Sequence, residues 1–161
     1  MLTKNKQASL RVAGHGRFAI VASRYNARYV DAMLRAAKAE LRRAGAKGIK
    51  TVRVPGAYEI PVVASTLAND TPRWDGIICL GVILRGATTH AQHIGEAVTW
   101  GLTQIQLETG VPIIHEVLLL ENEQQARERC LSRDHNRGTE AAQTALAMAA
   151  VMAHLPGAAT F

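Results

Sequence analysis

The chain has only two cysteines, five prolines and 4% aromatic residues in 161 positions, and each scarcity removes a class of protein. Cys79 and Cys130 have neither a disulfide-scaffold pattern nor metal-type spacing, so free thiols in a reducing compartment are expected. So few aromatics leave no base-stacking platform. The net charge of +6 and pI near 9.8 therefore do not make a nucleic-acid binder. The basic residues Arg11, Arg17, Arg28, Arg42, Arg43, Lys47, Lys50 and Arg53 are scattered rather than striped. No apolar run approaches the roughly 20 residues of a membrane span, and residues 1–17 lack a signal-peptide core. A cytoplasmic protein with no membrane partner is expected. Walker, Gly-x-Gly-x-x-Gly and Gly-x-Ser-x-Gly motifs are also missing, which removes support for nucleotide hydrolysis and covalent serine chemistry.

What is present is a globular composition, 48% hydrophobic, in a chain of one-domain size. Residues 1–16 are polar and aperiodic and read as an arm; residues 17–161 form a single domain. Apolar strand patterns at 17–23, 48–54, 76–84 and 111–120 alternate with helical patterns at 26–44, 58–68, 90–108 and 122–131. An Ala-rich helix follows at 139–153. Four strand–helix alternations predict a parallel sheet covered on both faces. The loops after the first three strands then converge at its carboxyl edge, where open α/β folds bind ligands.

Those loops hold the chemistry. Gly86, Ala87 and Thr88 separate a buried strand from a helix start, where free backbone N–H groups favour an anion. His90 follows directly. It is either a surface histidine or a proton-transfer group beside that anion, and the phosphate-type cradle favours the second. His93 lies three residues on, with no third metal ligand at a convincing spacing. Glu59 reads as a first-turn carboxylate or as an acceptor for sugar hydroxyls. Tyr25 reads as an apolar anchor or as a plate for a heteroaromatic ring. Arg127, Arg129 and Arg133 read as a solvated face or as the source of one guanidinium for a phosphate.

Four segments together carry a resemblance: Ser23-Arg-Tyr-Asn26, Val54-Pro-Gly-Ala-Tyr-Glu-Ile-Pro61, Gly81-Val-Ile-Leu-Arg-Gly-Ala-Thr-Thr-His90 and Asn136-Arg-Gly-Thr-Glu-Ala-Ala142. From about Arg17 to Met152 the chain resembles the lumazine synthases. The resemblance implies a three-layer α/β/α sandwich with a four-stranded parallel sheet in flavodoxin-like order 2-1-3-4. It implies condensation of 5-amino-6-(D-ribitylamino)uracil with 3,4-dihydroxy-2-butanone 4-phosphate, in riboflavin biosynthesis, with no cofactor.

By the same resemblance, Tyr25 stacks on the pyrimidine and Ala57, Tyr58 and Glu59 hold the ribityl chain. Val82, Ile83 and Leu84 line the pyrimidine. Gly86, Ala87 and Thr88 bind phosphate together with Arg129, and His90 moves protons. The chain departs from the family where Phe-Asp-Tyr is usual after the histidine and Ala91-Gln92-His93 stands instead. It departs again at His115, where the family has a phenylalanine that contacts the pyrimidine. A homo-oligomer built from pentamers is implied, with Arg129 and His115 from one subunit completing the site of the next. The arm and the small-residue helix at 139–153 suit such partner surfaces, the arm adding to a neighbouring subunit. The rival reading is a non-catalytic flavin- or lumazine-binding protein on the same fold, against which the retention of His90 and Arg129 counts. A generic sugar-phosphate or nucleic-acid module is the third.

Overall fold

A computed structural model describes residues 16–157. The expected arm thus lies outside the described residues apart from Gly16. Strands β1 (Arg17–Ser23), β2 (Gly48–Val54), β3 (Gly76–Leu84) and β4 (Ile113–Leu120) form one parallel sheet in the order β2-β1-β3-β4. Between and after them run α1 (Ala27–Arg43), α2 (Ile60–Ala68), α3 (His90–Thr109), α4 (Glu123–Cys130) and α5 (Arg137–His154). The four-stranded order and the alternation are those expected.

Alternation along the strands builds two cores from one sheet. Phe18, Ile20, Ile78 and Leu80 face α1 and α5, whereas Ala19, Val21, Ile77 and Cys79 face α2 and α3. This is why β1 and β3 read as unbroken apolar runs: both faces are covered. The helices follow their periodicity. In α1, Tyr29, Val30, Met33, Leu34, Ala37 and Leu41 are buried, and in α3 so are Val98, Leu102 and Ile105. Gly110 stops α3 in the left-handed conformation, φ 66°.

The boundaries differ from expectation where local chemistry intervenes. Strand β4 begins at Ile113 rather than residue 111, because Pro112 has no N–H to donate; its carbonyl accepts from Ile77 N at 2.9 Å. Residues Ala57–Glu59 form a separate 3-10 turn before α2, tightened as the Glu59 carboxylate accepts from Gly56 N at 2.9 Å. Helix α5 starts at Arg137, capped by Asn136, whose Oδ1 accepts from Gly138 N at 2.8 Å.

One expectation about α5 is narrowed. Most of its small residues serve the subunit's own core, and only Ala147, Ala150 and Ala153 are left unburied. Gly138, Ala141, Ala142, Ala145 and Ala149 are buried inside the subunit, in the core shared with α1. Small side chains here allow close helix approach: a Cβ at Gly138 would sit 2.0 Å from the Met33 carbonyl oxygen. The obstacle is backbone and cannot rotate away. Gly138→Ala is therefore expected to destabilise the fold by at least the roughly 1–3 kcal/mol typical of overpacking. A lowered urea midpoint at unchanged slope would register the loss.

Candidate functional site

The ends of β1, β2 and β3 open onto one cavity of about 760 Å³ at the carboxyl edge of the sheet. Its wall contains Tyr25 and Asn26 from the turn after β1, and Gly56, Ala57, Tyr58 and Glu59 from the segment after β2. Val82, Ile83 and Leu84 come from the end of β3, and His90, His93, Ile94 and Ala97 from α3. The alternation of strands and helices places these segments together because a parallel sheet delivers every strand end to the same edge.

The cavity combines an apolar back wall with a rim of unfilled polar and aromatic groups. Val82 and Ile83 are buried, whereas the rings of Tyr25 and Tyr58 are 67% and 63% exposed. Two solvent-open aromatics at a cavity mouth leave flat apolar area for a ring to cover. Gly56 lets the Tyr25 ring lie close over the backbone, since a Cβ there would lie 2.9 Å from Tyr25 Cδ2 and 3.0 Å from Glu59 Oε2 and would push those side chains aside. Glu59 spends Oε2 on the Gly56 N–H. Among the described residues its Oε1 has no hydrogen-bond partner, so one carboxylate oxygen is left for a hydroxyl donor.

The loop before α3 is exposed at Gly86, Ala87 and Thr88, and there is open space where a Gly86 side chain would project. No side chain caps α3; the nearest substitute is a long contact of 3.4 Å from His90 N to Thr88 Oγ1. The first-turn N–H groups of α3 thus remain available to an anion. These three residues are not part of the cavity wall itself. His90, the first residue of α3, belongs to both the loop end and the wall, so its imidazole stands between an anion position and an apolar slot.

Two expected site residues lie elsewhere in the chain. Arg129 is exposed on α4 and makes no hydrogen bond or ion pair among the described residues. Its neighbours are better satisfied: Arg127 pairs with Glu123 at 2.9 Å and Arg137 with Glu116 at 2.6 Å. Burial raises the Glu116 carboxyl above its ordinary range, and Arg137 opposes that shift. His115 stands on β4, on the face toward α3 and away from the cavity wall. Its Nδ1 accepts from Val117 N at 3.2 Å, leaving Nε2–H to donate to Thr99 Oγ1 at 2.8 Å. That pair of bonds selects the neutral tautomer, and lost solvation beside α3 lowers its pKa.

The sequence does not assign Asn26, Gly56, His93, Ile94 or Ala97 to the site. For His93 the signal was its place one helical turn after His90. Neither cysteine competes as a nucleophile. Burial pushes Cys79 far up and Cys130 to about 11, so both are thiols at neutral pH.

The family model for 6,7-dimethyl-8-ribityllumazine synthase matches residues 15–153. That span holds every element from β1 to all but the last residue of α5, including the whole cavity wall. The chain belongs to this family. It is 43% identical over 135 residues to 6,7-dimethyl-8-ribityllumazine synthase of Desulfotalea psychrophila, covering 83% of this chain and 86% of the relative. It is 40% identical over 142 residues to the enzyme of the same name from Xanthomonas oryzae pv. oryzae, covering 87% and 92%. The lumazine synthase fold thus accounts for the complete sheet and both helical layers.

The His115 arrangement has a pH consequence. Its folded-state pKa is depressed, so below the unfolded value of about 6.5 the unfolded chain gains a proton that the folded chain resists. Stability is then lost as pH falls through that region. His115→Phe removes this contribution, so the variant is expected to lose less stability than the parent between about pH 7 and 5. Parallel urea titrations at both pH values read the difference directly; identical losses would show that the imidazole does not resist protonation.

Proposed function

We propose that the protein is a 6,7-dimethyl-8-ribityllumazine synthase in riboflavin biosynthesis. It condenses 5-amino-6-(D-ribitylamino)uracil with 3,4-dihydroxy-2-butanone 4-phosphate and releases phosphate. The observation that carries this reading is the position of His90, on the wall of the cavity and at the end of an uncapped helix-start loop. The family membership supports the choice of reaction.

In this reading the pyrimidine lies in the slot against Tyr25, between it and Val82–Leu84. The ribityl chain runs along Ala57–Glu59, where the free Glu59 oxygen accepts from its hydroxyls. The phosphate of the second substrate sits at Gly86–Thr88 and the first turn of α3. The amine nitrogen attacks the ketone carbon, and the resulting tetrahedral adduct loses water to form an imine. Elimination then breaks the carbon–oxygen bond to phosphate, and the second amine closes the ring with loss of water. His90 takes a proton from the attacking nitrogen and returns protons to leaving oxygens, a role worth about 10²–10⁴-fold. Holding two substrates in register supplies more, on the order of 7–11 kcal/mol at best.

The separation of Arg129 and His115 from the cavity supports a site shared between subunits of a closed pentameric ring. There, the Arg129 guanidinium of one subunit meets the phosphate bound by the next. Trp100 and Leu107, 72% and 78% exposed on α3, supply apolar surface for such a contact.

Mixing the two substrates with the protein and following lumazine absorbance tests the reaction. His90→Ala is expected to lower kcat by about 100-fold or more while the pyrimidine KM stays within about twofold. An unchanged kcat would remove His90 from proton transfer. For the shared site, impaired His90→Ala chains and impaired Arg129→Ala chains are unfolded together and reassembled. Partial activity is expected to return, because some interfaces then join an intact His90 to an intact Arg129. Well-mixed oligomers without recovery would place both residues in one subunit's site.

A further inference from the structure

Asn26 is the one non-glycine residue among the described residues with positive φ, at φ 56° and ψ 40°. L-residues avoid this region, Asn less than most, and glycine enters it freely. Glycine would hold the turn with less strain, so the backbone alone does not account for a carboxamide here. The side chain does. Asn26 Nδ2 donates to the Val82 carbonyl oxygen at 2.7 Å. The pairing of β1 with β3 ends at Ala22 opposite Leu80, two residues short of Val82. The carboxamide thus supplies a donor to β3 after β1 has stopped providing them.

Both partners of this bond stand in the cavity wall. Tyr25, the residue before Asn26, rests on Gly56, where even a methyl would collide with its ring. The turn is therefore held at two points: on Gly56 beneath the ring, and at the Val82 carbonyl beside it. The amide orientation is fixed by chemistry, since only the NH2 end can donate to a carbonyl. Separately, the Asn26 main-chain carbonyl oxygen accepts from Tyr29 N and Val30 N, which ties the turn to the start of α1.

We infer that Asn26 is a positioning residue that sets the distance between the Tyr25 plate and the Val82 wall, and hence the fit of a flat heteroaromatic ring between them. This rests on the pyrimidine placement proposed above. Asn26→Gly keeps the left-handed backbone and removes the bond. Asn26→Asp keeps the shape and turns an acceptor toward the Val82 carbonyl.

The test measures Kd for 5-amino-6-(D-ribitylamino)uracil alone, KM for the phosphate substrate, and thermal midpoints, in the parent, both variants, Tyr25→Ala and the Asn26→Gly/Tyr25→Ala double variant. Both Asn26 variants are expected to weaken pyrimidine binding by roughly three- to tenfold, the scale of one hydrogen bond. KM for the phosphate substrate should stay within about twofold. With the plate removed, the Asn26→Gly effect should vanish, a non-additivity that a merely structural role does not produce. Unchanged Kd in the folded variants, equal weakening toward both substrates, or full additivity with Tyr25→Ala would each overturn the inference. A parent that binds the pyrimidine without turnover would defeat the proposed reaction yet leave this positioning test intact. A parent that does not bind it would defeat both.

Discussion

Strand β3 is paired on both edges and covered on both faces, and everything at the site is referred to it. Its register runs from Phe18↔Gly76 on the β1 side and from Ile77↔Ile113 to Leu84↔Leu120 on the β4 side. A strand so enclosed cannot shift by one residue without turning each core side chain to the other layer. Its exit at Leu84 is consequently a fixed point. From there the chain needs only Arg85–Thr89 to reach α3, so the anion loop and His90 inherit their place from the sheet. Arg85 reinforces that exit by pairing with Glu121 at 2.9 Å, just past the end of β4.

Around this fixed frame, polar groups are divided between those already satisfied and those left open. Glu40, Glu116 and Asn136 are buried and bonded: Glu40 to Arg43 and Gln143, Glu116 to Arg137, Asn136 to Cys130 and Gly138. They hold helices to one another and to the sheet. At the carboxyl edge the balance changes. The α3 start, one Glu59 oxygen, the Tyr25 and Tyr58 rings and Arg129 have capacity left over. Unused hydrogen-bonding capacity concentrated at one sheet edge is what a ligand site requires, whereas a surface of self-satisfied ion pairs does not.

The elements were legible because each carried a strong local period: the α1 stripe from Tyr29 to Leu41, and the doubly buried runs of β1 and β3. The convergence of the loops at 24–26, 55–59 and 85–90 follows from topology, whereas the roles of Val82–Leu84 and of the other site residues rest on the family resemblance. Other features depend on contacts between distant residues, which periodicity does not encode. The role of Asn26 needs Val82, 56 positions away, and the Gly138 requirement needs the Met33 carbonyl. The burial of Ala141, Ala142, Ala145 and Ala149 in α5 is not legible either, because composition reports size and polarity but not which neighbour is approached. His115 illustrates the same limit, since its partner Thr99 is supplied by the neighbouring helix.

The contact of Gly138 with the Met33 backbone has a mechanical consequence. Two helices whose main chains already touch have no compressible layer between them, so they transmit displacement as one stiff body. Helix α1 begins at the turn that carries Tyr25 and Asn26. Helix α5 begins at Arg137, which grips Glu116 on β4, the residue next to His115. The slot rim and the Arg137–Glu116 pair are thus anchored to the same packed pair of helices. A side chain at position 138 would part the two helices and loosen both anchors together.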